Sequence, residues 1–177
     1  ITECPKRLAL VSATCRYFIK KDKRHILVLS DRVQYLKDIY NKIHVDTGKK
    51  PGFKIGYYIG ACKSDERKES EKADLILATY AMAKEAMDIP VLDTLIMATP
   101  KGNAGVLEQC VGRILRQVSY PDNRPPLVID LVDDFSCFSK QAYRRKEFYR
   151  KACYPAQDIV FDEKNDDINQ KFQECVK

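Results

Sequence analysis

Much of what is scarce in this chain closes off a line of chemistry. The only histidines are His25 and His44, and the seven cysteines at 4, 15, 62, 110, 137, 153 and 175 form no CxxC pair. The sequence therefore offers no ordinary zinc site, and no metal is expected to bind. No apolar run is long enough to cross a bilayer, and no charged-then-apolar leader opens the chain. An odd cysteine count without a secretory signal reads as reduced thiols in a cytosol-like, cytoplasmic compartment, most of them small apolar fillers. No GxGxxG turn follows any strand, which weighs against a small nucleotide transferase or methyltransferase. The GxxxxGK[ST] phosphate cradle is missing too: Gly48-Lys49-Lys50 lacks the preceding glycine and the hydroxyl, and it follows a helix. No DExH or DExD box occurs. Asp133-Asp134 and Asp162-Glu163 sit in no such pattern and read as solvated loop positions. Without a cradle and a metal-holding carboxylate, this chain alone is expected not to hydrolyse a nucleoside triphosphate.

What is present describes a globular protein. At 177 residues, 45% hydrophobic and 32% charged, the chain can build one full core. It starts at Ile1 instead of methionine, which reads as a piece of something longer. The net charge of +6 is unevenly spread. Lys6, Arg7, Arg16, Lys20, Lys21, Lys23 and Arg24 crowd the first segment, and Lys140, Arg144, Arg145, Lys146, Arg150 and Lys151 crowd a later one. Each is either a backbone-phosphate surface or a solvated helix face.

Hydrophobic period orders the rest. Thr2 as N-cap, Pro5 in the first turn and a Leu8, Val11, Cys15, Phe18 stripe predict a first helix of about five turns. Ile26-Leu27-Val28-Leu29 is a continuous apolar run, as for a strand covered on both faces. Ser30 and Asp31 are placed to cap a helix carrying Val33, Leu36, Ile39, Tyr40 and Ile43, which ends near Gly48. Further strands are expected at 53–59, 74–78, 92–98 and 127–132, with Gly60 providing a sharp turn. Helices are expected at 64–72, 104–117 and 136–151, a short one after Thr79, a stiff connector over 121–126, and a last fifteen residues that are loosely amphipathic or frayed. Alternating strands and helices predict an α/β fold, a three-layer parallel sheet with helices on both faces. Functional loops of such sheets gather at the carboxyl ends of the strands, which is where Ser30, Asp31, Arg32, Gly60, Thr79 and Thr99 fall.

One stretch, 107–117, organises the chain. Leu107, Val111, Ile114 and Leu115 recur at helical spacing as one buried stripe, leaving Gln109, Arg113 and Arg116 on another face. Two guanidinium groups one turn apart suit an anion with several oxygens, such as a phosphate. A solvated basic edge of an amphipathic helix has the same spacing. Cys110, within this helix, is the thiol to watch, although packing is its simpler role.

Gln109-x-x-Gly112-Arg113-x-x-Arg116 resembles motif VI of superfamily 2 helicases. Ala78-Thr79 through Glu85-Ala86-Met87-Asp88-Ile89-Pro90 resembles motif V, and Ile26 to Arg32 resembles motif IV, in matching order and separation. The resemblance covers about 20–155 and is greatest to helicases of large cytoplasmic DNA viruses and phages. It implies a second RecA-like domain at 1–155, an extension or tail at 156–177, and a first RecA-like domain outside this chain. That partner would hold ATP and Mg²⁺. It further implies Arg116 as arginine finger, Arg113 as a second γ-phosphate contact, and Gln109 aligning nucleotide or water. Asp88, Glu85 and Gly112 would lie near the nucleotide, although Asp88 could equally cap a turn before Pro90. Ser30, Arg32, Gly60 and Thr79 would hold nucleic-acid phosphates, of DNA in preference to RNA. Ala86 stands where the family usually has glycine. A non-catalytic basic nucleic-acid-binding module is the competing expectation.

Overall fold

Strands buried on both faces must be apolar at every position, and the aliphatic runs of this chain meet that demand. The computed structural model describes residues 2–85, 87–116, 120, 124–133, 135–161 and 170–172. Its strands are β1 (Ile26–Ser30), β2 (Ile55–Tyr58), β3 (Leu75–Thr79), β4 (Thr94–Met97) and β5 (Leu127–Asp130). They make one parallel sheet in the order β2-β3-β1-β4-β5, with Leu27 level with Ile76 and Leu95, and Met97 level with Asp130. The helices are α1 (Pro5–Lys20), α2 (Val33–Asp46), α3 (Ser64–Ser70), α4 (Tyr80–Glu85), α5 (Ala104–Ile114) and α6 (Cys137–Lys151).

Alternation along the strands sorts side chains into two cores. Ile26, Val28, Leu75, Leu77 and Ile96 pack against Val11, Cys15 and Phe18 of α1 and Tyr35, Leu36, Ile39 and Ile43 of α2. Leu27, Leu29, Ile76, Leu95 and Met97 pack on the opposite face against Ala83 of α4 and Leu107, Cys110, Val111 and Ile114 of α5. The three-layer architecture read from the sequence is the one observed.

Element ends depart from expectation for local reasons. Pro5 fixes the first turn of α1, so Cys4 takes the N-cap position and Thr2 lies outside it. Ser30 and Asp31 do not cap α2, whose N-cap is Arg32. The buried Ser30 hydroxyl instead accepts from the Arg32 backbone N–H at 3.0 Å, and Asp31 pairs with Lys101 Nζ at 2.8 Å. At α3, Glu66 accepts from the backbone N–H of Lys63 at 2.9 Å, so the helix is capped one residue earlier than Ser64. Leu115 follows the last turn of α5 and is 41% exposed, so it drops out of the predicted stripe. Gly60 has no left-handed φ; the glycines that need one are Gly48 and Gly52, at φ 62° and 78°.

Charge placement brings the largest correction. Three of the arginines counted as surface charge are buried. Arg7 donates through Nε to Ala98 O at 2.9 Å and through Nη1 to Asp133 at 2.6 Å, so Asp133 is a half-enclosed partner and not a solvated loop residue. Arg24 donates to Pro125 O at 3.2 Å beside Asp93 and Thr94. Arg145, with no exposed side-chain surface, donates to Asp130 at 2.7 Å. A buried guanidinium persists only with such partners. The tail is not wholly frayed either, since Phe172 meets Tyr17 and Phe18 at ring distances of 5.3 and 5.2 Å.

Candidate functional site

The carboxyl ends of the strands form a rim tied together by polar side chains. Thr99, just past β4, accepts from the Asp31 backbone N–H through Oγ1 at 3.1 Å, while its carbonyl accepts from Tyr80 Oη at 2.7 Å. Lys101 grips both oxygens of Asp31 and lies 5.2 Å from the Tyr80 ring centre. Thr79 ends β3, and its hydroxyl accepts from Met82 N at 3.4 Å, at the start of α4. Arg32 and Gly60 are exposed on this rim, whereas Ser30 is buried and its hydroxyl serves the loop backbone. Ser30 thus shapes the rim and presents no hydroxyl to solvent. Sequence reading missed Lys101 and Tyr80, because neither a lone lysine after Pro100 nor a helix-starting tyrosine carries a periodic signal.

Arg113 of α5 and Arg116, just beyond its last turn, form a second group. Asn103 accepts from Val106 N at 3.2 Å and starts α5 near the rim. Arg113 sits about 14 Å along the helix axis from Ala104, at 1.5 Å per residue. Neither guanidinium group lies in the core: Arg113 is half-buried and Arg116 is exposed.

Arg113 donates through Nε to Ala83 O at 2.8 Å, through Nη2 to Lys84 O at 2.7 Å and through Nη1 to Met87 O at 2.5 Å. The carbonyls closing a helix lack intrahelical partners and carry partial negative charge, so a cation fits them. Burial, with Arg116 nearby, lowers the Arg113 pKa from its ordinary value. Three of its five N–H groups are spent on backbone, so it is first a brace for α4. Arg116 is exposed and pairs with the carboxylate of Asp88, itself 76% exposed. A Cβ placed on Gly112 would meet nothing within 4 Å, and Gln109, one turn earlier, is exposed. Among the predicted nucleotide-side residues, the structure brings together Arg113, Arg116 and Asp88. The Glu85 side chain, Ala86 and Gln117 lie outside the described residues.

Cys110 points into the core under α5, and burial pushes its thiol up to about 11, which removes it as a reactive group. Among the described residues no helix is long and apolar enough to cross a membrane.

Comparison with known proteins adds an independent line. Residues 9–117 match the family described as helicase conserved C-terminal domain. A protein of Acanthamoeba polyphaga mimivirus named as an ATP-dependent RNA helicase is 34% identical over 151 residues, 85% of this chain and 27% of that protein. A similarly named protein of African swine fever virus is 32% identical over 101 residues, 57% of this chain and 19% of that protein. The chain thus spans about a quarter or less of these relatives. The solved structure of T4 UvsW superposes with a TM-score of 0.66 at 20% identity, covering 85% of this chain and 33% of that one.

Proposed function

Because this chain belongs to the helicase conserved C-terminal domain family, we propose that it is the second half of an ATP-driven nucleic-acid motor. Arg116 is its arginine finger, Arg113 a positioning residue, and the rim its strand-binding surface. The carrying observation is the exposed Arg116, paired with the solvent-facing carboxylate of Asp88.

These residues fit a nucleotide brought by a partner domain. Arg116 is reachable, its counterion is solvent-facing, and the unshielded backbone at Gly112 permits close approach. ATP with Mg²⁺, when bound, supplies the phosphoryl group whose transfer drives motion. With a nucleotide bound, Arg116 would exchange Asp88 for phosphate oxygens, Gln109 would orient polar groups beside it, and Asp88 would remain as the counterion to which the arginine returns. Arg113 stays with α4. That helix links the two groups: it starts just after Thr79 on the rim and ends in the grip of Arg113. A displacement of α5 on nucleotide binding therefore reaches Thr79 through six residues of helix.

Arg32, Gly60 and Thr79 would take backbone phosphates with little base readout, so affinity falls with salt. The resemblance favoured DNA, whereas the two viral relatives are named for RNA, so both strands belong in the assay.

The test is ATP hydrolysis by the full-length protein with oligo-dT or oligo-U. Arg116→Ala should reduce the stimulated rate about a thousandfold or more while leaving binding intact. A rate within a few-fold of wild type removes the finger, and a binding module without motor activity becomes the better description.

A further inference from the structure

Helix α6 turns Ala142, Arg145 and Tyr149 inward. Its first two turns present the opposite side, where Ser139, Lys140, Tyr143 and Arg144 line an open groove of about 440 Å³. Tyr143 is 67% exposed, and Phe135, just ahead of the helix, is 55% exposed against Phe138. Water-facing rings of this size on one segment are unusual for a surface that meets nothing.

Charge on α6 is neutralised selectively. Arg145 has Asp130, Lys146 has Asp158 and Arg150 has Glu147. Among the described residues, neither Lys140 nor Arg144 has an ion-pair partner. Apart from Lys151 in the last turn, the uncompensated cations of α6 flank Tyr143, at three residues before and one after. A π-face flanked by free cations suits a base on the ring with its phosphates on the charges. An acidic protein surface would match the cations but leave the ring without a flat partner.

Position agrees. β5 is the edge strand beyond β4, and α6 begins just after its carboxyl end. A strand crossing Gly60, Thr79 and Arg32 steps about 4.8 Å per strand along the rim, and reaches the start of α6 if it continues in the same direction past the ends of β4 and β5. We propose that the outer face of α6, with Tyr143 as stacking platform and Lys140 and Arg144 as phosphate contacts, holds one base of a single strand leaving the rim. This rests on the strand-binding reading above and adds base contact, by stacking alone, to a surface otherwise limited to phosphates.

The test uses the full-length protein with labelled oligo-dT and oligo-U, read by fluorescence anisotropy across salt. Tyr143→Ala should weaken binding about tenfold with an unchanged salt slope. Lys140→Ala and Arg144→Ala should each lower that slope by about one. Tyr143→Trp keeps a stacking surface and should bind like wild type. The emission that this variant gains over wild type should be quenched by the oligonucleotide. Binding by Tyr143→Ala within twofold of wild type, or an indole that does not respond, removes the platform. If Arg32→Ala still weakens binding in that case, the strand-binding rim stands without it. Should Arg32→Ala and Tyr143→Ala both be silent, the whole strand path fails.

Discussion

Replacing Arg113 by alanine would leave the carbonyls of Ala83, Lys84 and Met87 without their shared donor. The expected loss is about 2 to 4 kcal/mol, since bonds to a charged group are among the stronger ones. Arg116→Ala removes only an exposed ion pair and should cost less than about 1 kcal/mol. Urea denaturation of the two variants tests this contrast, and equal losses would contradict the bracing assignment. Thiol labelling provides a second check. Burial raises Cys110 to about 11 and Cys15 to about 12, so near pH 8 both stay protonated and unlabelled in the folded protein. The exposed Cys4, Cys137 and Cys153 should alkylate first, which peptide mass spectrometry resolves. The residue pattern of Gln109, Arg113 and Arg116 was legible in the sequence; the division of roles between the arginines was not. Arg113 meets carbonyls 26 to 30 residues away, a pairing no local spacing encodes. Arg7, Arg24 and Arg145 were misread for the same reason, because period analysis treats every arginine as a surface residue.

Helices and strands were easier to read, since an apolar run or stripe suffices to place them. Their ends were harder: β4 was expected from Leu92 but begins at Thr94, because Asp93 and Thr94 both donate backbone N–H to the His25 carbonyl there. Packing between elements makes its own prediction. A Cβ on Gly56 in β2 would sit 2.6 Å from Ser70 Cβ and 2.7 Å from its Cα, so α3 must shift. Gly56→Ala should destabilise by about 1 to 3 kcal/mol, seen as a lower urea midpoint. The seam between α1 and α2 depends on Asp46, which accepts from Ser12 Oγ at 3.1 Å and pairs with Arg16 at 3.3 Å and with Lys42. Burial acts to raise its pKa, but hydrogen bonds from Lys42 and Ser12 bring it below the ordinary value. A lowered folded pKa contributes stability above the unfolded pKa, about 4, and loses it as pH falls through the folded one. Wild type should therefore be more stable than Asp46→Asn at pH 7, with the gap closing in acid. A gap that persists below the carboxylate range would place the effect elsewhere.

Across the whole molecule, the family match at 9–117 stops short of β5 and α6, yet the chain folds past it as one unit. Arg7 joins the first helix to Leu131 and Asp133, and Arg145 joins the last helix to β5. Arg7→Ala would strand a mostly enclosed Asp133, at an expected cost of about 3 to 5 kcal/mol. Unfolding should stay a single transition with circular dichroism and tyrosine fluorescence coincident. Two separated transitions would instead mark the first helix as an independent layer. The strand order also governs when the molecule can begin to assemble. β1 is hydrogen-bonded to β3 and β4, and β2 to β3. During synthesis neither of the first two strands has a neighbour until 75–79 leave the ribosome. The whole stretch from residue 26 to residue 79 must emerge before this first ladder can close, and until then its most apolar segment, Ile26 to Leu29, depends on α1 and α2 for cover.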